Sequence, residues 1–570
     1  MDKDLKKIKY YLSKIYDTPR SENAFYYIKK KLENRKHRIS DNILDYFNEK
    51  DVLLITYGDS IKKENEKSLK YLRKFYQRFL SDSINKIHIL PFFPYSSDDG
   101  FSIIDYYKIN PDMGEWADIG KLSKDVDLMF DYVCNHISSQ SGWFENYLEE
   151  KPGFRNLAIE VDPDTDLSGV VRPRDKPLLT EFEKKSGEKV HVWTTFSSDQ
   201  IDLNFKDIEV FKKMIDVFLF YIGNNAKWIR LDAIAYLWKE IGTSCIHLPE
   251  VHYFVKLLRT IMNSIIKDGV IITETNVPHK DNISYFGNGR DEAQIVYNFT
   301  LPPLLLYSFI KEDITEFSRW VKKLKTPSNS TTFLNFTASH DGIGVRPLEG
   351  IIDNSEIEDI IKHIKNNGGM VSYKTDNTGG KSPYELNITY LDALKFPEDK
   401  NELINIKRFL ASQIIAMVLP GIPAVYIHSL IGTRNWLEGI EKTNRKRTIN
   451  RKKFEYEEIM NQIKNDKKRK KYILDSYTEL LKKRKQQEAF HPNANFEPIN
   501  INKRVFCIKR WTNYQTLYCL TNISKKRIEI NSDKLIQNPK FRDLISNKNL
   551  SNKIKLDAYQ SVWLEPERNK

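Results

Sequence analysis

The sequence predicts an α/β protein: a (β/α)8 TIM barrel with domains inserted after the third and seventh strands and a C-terminal antiparallel β domain. Eight short, near-continuous apolar runs recur between residues 52 and 428, with amphipathic stretches between them. Such runs are typical of parallel strands buried on both faces, and the stretches between them supply the crossover helices. Two connections are much longer than ordinary loops, and short strand-like segments close the chain.

The chain begins with a segment that we expect to be helical, residues 1–48, because Ile8, Leu12 and Ile15 recur at helical spacing. We assign the barrel to residues 49–490 and the β domain to residues 491–570. The eight predicted barrel strands are, in order, VLLITYG from Val52, IHILPFFP from Ile87, VDLMFDYVCNH from Val126, WIRLDAIAY from Trp228, VIITETN from Val270, IVYNFTLP from Ile295, FLNFTASHDG from Phe333 and GIPAVYIH from Gly421.

Two long connections follow the third and seventh runs. The first, about residues 137–205, is rich in Pro, Asp, Gly and Ser and is expected to form a small domain over the barrel mouth. The second, about residues 351–398, contains the stretch TDNTGGKSPYELN. Both leave the face of the barrel where strand ends carry active-site residues, so we expect them to set substrate specificity.

The end of the chain changes character. Residues 466–485 are strongly basic, yet Ile473, Tyr477 and Leu481 recur at helical spacing. An amphipathic helix with a solvated cationic face is predicted, with a nucleic-acid-binding patch as the alternative. Four strands of the β domain are expected in RVFCIKRW, TLYCLTNIS, KRIEI and SVWLEP.

Composition limits the classes of function. The 570 residues carry a net charge of +13, a modest excess that permits anionic substrates without requiring nucleic acid. The four cysteines form no CxxC pair, so buried reduced thiols are expected rather than disulfides or a zinc cluster. The N-terminus lacks an apolar signal segment, and the longest apolar stretch, Ile414 to Ile427, is too short and too interrupted to span a membrane. We expect a cytoplasmic monomer or homodimer with no nucleic-acid or membrane partner.

Polar residues at the strand ends fit a retaining glycosidic reaction. Arg230 and Asp232 are two positions apart and lie on the same strand face, where the guanidinium would keep the carboxylate ionised as a nucleophile. Glu274 ends the next strand and would act first as acid and then as base. FTASHDG brings His340 and Asp341 to the rim, and DYVCNH brings Asn135 and His136. Imidazole groups there could bind sugar hydroxyls.

The same stretches resemble a known family. RLDAIAY, ITETN, SHDGIG and DYVCNH are similar to the four sequence regions of the α-amylase superfamily, glycoside hydrolase family 13. LPFFPYSSDDGFSIIDYYKINPDMG, VHYF after LPE, YNFTLPPLLLYSF and SHDGIGVRPLEGI look like its sucrose phosphorylase branch, over nearly all of residues 50–565. The resemblance implies a phosphorylase that takes an α-glucoside donor and inorganic phosphate, and needs no organic cofactor or metal.

The resemblance also implies roles for individual residues. Asp232 would be the nucleophile, Glu274 the acid/base and Asp341 the transition-state stabiliser. The residues implied to bind the glucosyl unit are Arg230, His136, His340, Asp98, Phe101 and Arg447. Two of these assignments have alternatives: Asp99 could replace Asp98, and Arg447 lies among Arg445, Lys446 and Arg451. Asn135 resembles a calcium-binding asparagine of amylases, although a structural role is expected.

The acceptor site departs from sucrose phosphorylases. The stretch SPYELN, Ser382 to Asn387, stands where those enzymes carry a stretch resembling DLYQVN. SPYELN and VRPLEGI look more like branch members acting on glucosylglycerate or sucrose 6-phosphate, whose acceptor moieties are anionic, and Arg346 is the candidate cation for such an acceptor. Glycerate, glycerol, fructose and fructose 6-phosphate stay open as acceptors. A hydrolase or transglucosylase on the same scaffold is the alternative activity, and a non-catalytic carbohydrate-binding protein is the alternative class.

Overall fold

A computed structural model describes residues 2–34, 46–173, 176–375, 380–466, 468–537, 540–550 and 553–567. Eight parallel strands close into a barrel, and each pairs with its neighbours in chain order. Every predicted run overlaps one of them, so the predicted barrel is confirmed. The strands are β1 Leu53–Thr56, β2 Lys86–Ile89, β3 Asp127–Val133, β4 Ala226–Asp232, β5 Val270–Thr273, β6 Ile295–Tyr297, β7 Thr332–Phe336 and β8 Ile422–Tyr426.

Helices surround the barrel. The crossover helices between successive strands are Ser68–Phe79, Trp116–Leu122, Ile208–Gly223, Pro249–Ile265, His279–Ser284, Leu301–Lys311, Thr315–Lys323 and Glu402–Val418. Helices Ile427–Leu430, Leu437–Thr443, Tyr456–Asn465 and Lys470–Arg484 follow β8. The two N-terminal helices, Asp2–Ile15 and Thr18–Glu33, pack against Pro249–Ile265 and Ile208–Gly223 respectively, so this segment covers the outside of the barrel. The predicted N-terminal segment, residues 1–48, also includes residues 35–45, which lie outside the described ranges.

The connection after β3 contains helix Gly142–Leu148 and two antiparallel strand pairs, His136–Ser138 with Gln200–Asp202 and Leu179–Glu183 with Lys189–Trp193. The connection after β7 contains helices Asn354–Asn366 and Tyr390–Ala393 and an antiparallel sheet of Ile343–Gly344, Lys381–Asn387 and Met370–Thr375. Both long connections therefore carry secondary structure of their own. The exact domain boundaries stay predictions.

The C-terminal part is antiparallel, as predicted. Its main sheet contains Asn495–Pro498, Val505–Trp511, Thr516–Asn522, Ser561–Pro566, Phe541–Asp543 and Asn549–Leu550, and a second pair joins Ile528–Asn531 to Lys553–Leu556. Each of the four predicted strand segments overlaps one of these strands. Sequence patterning missed the shorter ones because they offer too few alternating positions to stand out from turns.

The basic segment forms the predicted helix, Lys470–Arg484, with Ile473, Tyr477 and Leu481 buried. The cationic face of this helix is not fully solvated, contrary to the prediction, because basic residues in it are buried. Arg484 is buried, and its guanidinium donates hydrogen bonds to the carbonyl oxygens of Met417 and Phe490 at 2.9 and 3.1 Å. This cation therefore ties the helix to the barrel and is not available to a partner.

All four cysteines are buried and unbridged, as expected. Among the described residues no helix is both long and apolar enough to cross a membrane.

Candidate active site

The strand ends surround a narrow cavity of 80 Å³ at the mouth of the barrel. Parallel strands place their carboxyl ends on one rim, so residues far apart in the chain meet there. Nine of the ten predicted site residues line this cavity: Asp98, Phe101, His136, Arg230, Asp232, Glu274, His340, Asp341 and Arg447.

Arg230 is the electrostatic centre of the site. Its Nη1 lies 2.6 Å from Oδ1 of Asp232 and also donates to Asp131, while its Nη2 lies 3.7 Å from Oε2 of Glu274. The other oxygen of Asp131 lies 2.6 Å from Nε2 of His88, and both of these side chains are fully buried. Asp131 thus holds the guanidinium of Arg230 in place, and His88 holds Asp131. The sequence offered a signal for both, because each is a polar residue within an otherwise apolar strand run.

The two candidate reacting carboxyls are coupled. Burial raises the pKa of Asp232 to about 8; Arg230 opposes that rise and Glu274 adds to it. Burial also raises the pKa of Glu274, and Asp341 adds to that rise against Arg230. Near neutral pH the pair therefore retains a proton. Burial favours the protonated form of Asp232, whereas the nearby Arg230 guanidinium favours its charged form. The expectation that Arg230 keeps Asp232 ionised, with the proton on Glu274, therefore stays a prediction.

Asp341 has the opposite electrostatic environment. Its Oδ1 lies 2.6 Å from Nη1 of Arg447 and 3.8 Å from Nη2 of Arg451, and its Oδ2 lies 3.4 Å from Nε2 of His340. Burial disfavours the charge of Asp341, but Arg447, His340 and Arg451 together hold its pKa below the usual range. Asp341 is therefore a permanent anion at neutral pH.

Arg447 is held from the segment SPYELN. Its Nε and Nη2 donate to the two carboxylate oxygens of Glu385 at 3.0 and 2.8 Å, a bidentate pair. The backbone N–H of Gly342 donates to the same carboxylate at 3.1 Å. Glu385, on strand Lys381–Asn387, thereby links Arg447 to Gly342, the residue that follows Asp341. Sequence analysis named this segment but not Glu385, whose partner is 62 positions away.

The side chains of Asp98 and Asp99, the two alternatives for the glucose-binding aspartate, lie in different places. Asp98 lines the cavity, whereas Asp99 accepts a hydrogen bond from Nη1 of Arg451 at 2.5 Å. Both aspartates and Gly100 have positive φ, 52°, 50° and 112°. A Cβ on Gly100 would stand 2.6 Å from the carbonyl oxygen of Pro91, so only glycine fits this tight approach.

The loop that carries Asp98 is anchored by one carboxylate of the first inserted segment. Asp199 accepts hydrogen bonds from the hydroxyls of Ser96, Ser102 and Ser139 at 2.6, 2.8 and 2.7 Å, and also from Ser97. Burial raises the pKa of Asp199, but these serine hydroxyls outweigh it and the net pKa is lowered. Asp199 therefore remains an ionised acceptor that joins the loops after β2 and β3. Sequence analysis did not identify it, because an aspartate in a polar loop carries no distinctive pattern.

The two histidines are neutral groups. Burial lowers the pKa of His136 to about 4 and that of His340 to about 3. Nε2 of His136 lies 3.0 Å from the carbonyl oxygen of Phe101, and the Phe101 ring stacks on His340 with centroids 4.9 Å apart. A neutral imidazole and an aromatic face are suited to the polar rim and apolar face of a sugar ring.

Asn135 is engaged within the protein. Its Nδ2 donates to Asp202 at 3.0 Å, its Oδ1 accepts from the ammonium of Lys239 at 2.7 Å, and Lys239 also pairs with Asp202. Among the described residues no group of His, Cys, Asp and Glu side chains is arranged to hold a metal ion.

Arg346 is the one predicted site residue that lies outside the cavity lining. Its Nε is 3.9 Å from Oε1 of Glu349 in a weak pair, and no hydrogen-bond partner for that buried nitrogen is found among the described residues. Two positions earlier, Gly344 packs closely on Asn276, which does line the cavity. Arg346 thus lies on the segment behind the wall, and its proposed contact with an acceptor stays a prediction.

Comparison with known proteins agrees with this geometry. The α-amylase catalytic domain family matches residues 67–348. Glucosylglycerate phosphorylase of Escherichia coli (strain K12) is 43% identical over 98% of this chain and 100% of its own, and that of Spirochaeta thermophila is 42% identical over 91% and 90%. The crystal structure of sucrose 6F-phosphate phosphorylase from Thermoanaerobacter thermosaccharolyticum is 26% identical and superposes with a TM-score of 0.73 over 85% of this chain and 96% of that one. The resemblance seen in the sequence is confirmed: the chain belongs to the α-amylase family, glycoside hydrolase family 13.

Proposed function

We propose that the protein is a retaining phosphorylase that transfers an α-glucosyl unit from glucosylglycerate to inorganic phosphate and releases α-D-glucose 1-phosphate. The observation that carries this proposal is the unequal position of Arg230 between two buried carboxyls, 2.6 Å from Oδ1 of Asp232 and 3.7 Å from Oε2 of Glu274. A retaining double displacement requires one ionised carboxylate as nucleophile and one protonated carboxyl as acid. The similarity to glucosylglycerate phosphorylases supports the choice of donor and of phosphate as acceptor.

In the first step a carboxylate oxygen of Asp232 attacks the anomeric carbon while Glu274 gives its proton to the departing glycerate oxygen. The bond to glycerate breaks, and a β-glucosyl ester forms on Asp232 through an oxocarbenium-like transition state. Asp341 is placed to stabilise positive charge on the sugar, since its pKa is held low by Arg447 despite burial. Asp98, Phe101, His136, His340 and Arg447 would hold the glucosyl unit.

In the second step a phosphate oxygen attacks the same carbon from the face that glycerate left, and the ester bond to Asp232 breaks. Glu274, which is ionised after the first step, accepts either a proton or only a hydrogen bond from the hydrogen phosphate ion, since phosphate is already anionic. Two inversions give net retention, so the product is the α-anomer of glucose 1-phosphate.

The cellular location, the partners and the oligomeric state of the protein are also proposals. We propose a cytoplasmic location, and we propose that the protein works without nucleic-acid or membrane partners, as a monomer or homodimer. The helix Lys470–Arg484 has five basic residues. Arg484 is bound to internal carbonyl groups, and Lys471 and Lys482 pair with Asp475 and Asp82, which reduces the positive charge available to a nucleic acid.

The test is to incubate the purified protein with phosphate and, separately, glucosylglycerate, glucosylglycerol, sucrose and sucrose 6-phosphate. We expect phosphate-dependent release of glucose 1-phosphate, fastest from glucosylglycerate. Release of free glucose at the same rate with and without phosphate would identify a hydrolase instead, and transfer to a second sugar would identify a transglucosylase. No turnover of any donor would favour a carbohydrate-binding role.

A further inference from the structure

A second, wider cavity of 660 Å³ lies outside the candidate active site. The two cavities share part of their lining, including Asp98, Tyr384 and Arg447, so the outer one leads into the inner one. We call the outer cavity the vestibule. Its walls come from the two long connections and from the stretch after β8, so any ligand that enters through it passes their side chains first.

The charges on the vestibule wall are unequal. Six cationic side chains line it: Lys176, Lys381, Arg445, Lys446, Arg447 and Arg451. Three acidic side chains do so: Asp98, Asp199 and Glu385. The wall therefore has an excess of positive charge.

The inner pair of these cations is already compensated. Arg447 is bound by Asp341 and Glu385, and Arg451 pairs with Asp99 at 2.5 Å. These arginines are therefore poor at attracting an anion from solution, because their charge is neutralised at short range.

The outer four cations are different. Lys176, Lys381 and Arg445 are exposed, and within the described ranges none of them has a carboxylate within 4.0 Å. Nζ of Lys446 donates to the carbonyl oxygen of Val371 at 2.8 Å, a neutral acceptor, and no carboxylate of the described residues lies within 4.0 Å of this ammonium group. Arg445 also acts at longer range on Asp99. Burial raises the pKa of Asp99, but Arg451, Lys453 and, more weakly, Arg445 lower it, and the net pKa is lowered.

We propose that Lys176, Lys381, Arg445 and Lys446 form a collecting site for small oxyanions at the entrance of the active site. The ligands are inorganic phosphate and the carboxylate of the glycerate moiety. Both are compact anions with several oxygen atoms that accept hydrogen bonds. This inference rests on the proposed function and extends it. Cations lining a cleft raise the local concentration of an anionic substrate, and the effect weakens with ionic strength.

A collecting site in the vestibule would let the enzyme favour anions over water as acceptors of the glucosyl unit. No unpaired cation beside the reacting carbon is then needed. An uncompensated cation there would oppose the positive charge that develops on the sugar. Placing the free cations in the vestibule separates capture of the anion from stabilisation of the transition state, which depends on Asp232 and Asp341.

The experiment uses the double variant Lys381→Gln/Arg445→Gln and the neutral donor α-glucosyl fluoride, which avoids an anionic donor. Phosphate, glycerate and glycerol are compared as acceptors, with hydrolysis measured in their absence. The matched control is Lys322→Gln/Lys323→Gln, which removes the same charge from the end of helix Thr315–Lys323, on the side of the barrel where β7 begins. Thermal unfolding checks that each variant is folded.

We expect kcat/KM for phosphate and for glycerate to fall about 3- to 10-fold in the vestibule variant, through KM, with a flatter dependence on salt. Kinetics with glycerol and with water should change by less than about 2-fold, as should every rate of the control. A loss confined to phosphate would assign the site to phosphate, and one confined to glycerate would assign it to the carboxylate. Equal losses on charged and neutral acceptors, or no loss on either anion, would overturn the proposal. If the wild-type protein forms no glucose 1-phosphate, the proposed function fails, and the glycerate arm still tests the vestibule.

Discussion

The guanidinium of Arg230 lies closer to one candidate reacting carboxyl than to the other: Nη1 is 2.6 Å from Oδ1 of Asp232, and Nη2 is 3.7 Å from Oε2 of Glu274. Two buried carboxyls that retain one proton are thereby made unequal, because the nearer cation favours charge on Asp232. The asymmetry supports the proposed roles of Asp232 as nucleophile and Glu274 as acid. It also makes the two residues separable by experiment.

For Asp232→Asn we expect loss of turnover by more than about 10³-fold in a protein that stays folded, because the change removes the nucleophilic charge and keeps the side-chain shape. Phosphorolysis and hydrolysis of glucosyl fluoride are both measured, and circular dichroism confirms the fold. Activity within about tenfold of wild type in a sample free of deamidation would refute the assignment, since that corresponds to only about 1.4 kcal/mol of barrier.

For Glu274→Gln the loss should depend on the leaving group. Glucosylglycerate needs a proton as its alkoxide departs, whereas fluoride does not, so we expect a loss of about 10²- to 10⁴-fold on the former and a much smaller one on glucosyl fluoride. Rates on the two donors are compared in the same variant. An equal loss on both would mean that Glu274 supports the structure of the site and does not act as the acid.

The raised pKa values predict a pH dependence of stability. The folded state keeps a proton on the pair where the unfolded chain has lost it, so this contribution to stability falls as pH rises from about 4 toward the pKa of about 8 that burial gives Asp232. Asp341, whose pKa is lowered by Arg447 against burial, is ionised throughout that window and does not contribute to the change.

Asp232→Asn removes one member of the pair, so we expect its stability relative to wild type to increase between pH 5 and pH 8, by at least about 1 kcal/mol. Chemical denaturation of both proteins at the two pH values measures the difference. A relative stability that is constant or decreases with pH would contradict the coupling between Asp232 and Glu274.

Sequence reasoning identified the residues whose signal is local. The eight barrel strands are buried on both faces and therefore appear as apolar runs, and Asp232 and Glu274 stand at the ends of such runs. The same reasoning could not find Glu385 or Asp199, because their importance depends on partners brought together by folding, as with Glu385 and Arg447. Arg346 was expected to contact an anionic acceptor because of its residue type and its place after a motif; it lies outside the lining of the cavity, and the contact stays a prediction.

The anchoring of the Asp98 loop gives a further prediction. Asp199→Ala removes the acceptor shared by Ser96, Ser102 and Ser139, so the loop with its positive φ angles loses its main support. We expect KM for the glucosyl donor to rise about 10-fold or more, with a smaller change in kcat. Ser139→Ala, which removes one of the hydroxyls and leaves the acceptor, is the matched control and should change KM by less than about 3-fold. A fall in kcat alone would point to a role other than positioning Asp98.

The last prediction concerns the acceptor and Arg346. A guanidinium that paired directly with a carboxylate would contribute about 1.5 to 3 kcal/mol, or roughly a ten- to hundredfold preference for glucosylglycerate over uncharged glucosylglycerol. Arg346 lies outside the linings of both the inner cavity and the vestibule, so we expect Arg346→Ala to lower kcat/KM on the two donors equally, by less than about 3-fold. Glu349→Gln, which changes only its weak partner, serves as the control. If Arg346→Ala instead lowers efficiency on glucosylglycerate alone and narrows the preference, the arginine reaches the acceptor when substrate is bound, and the sequence-based assignment is correct.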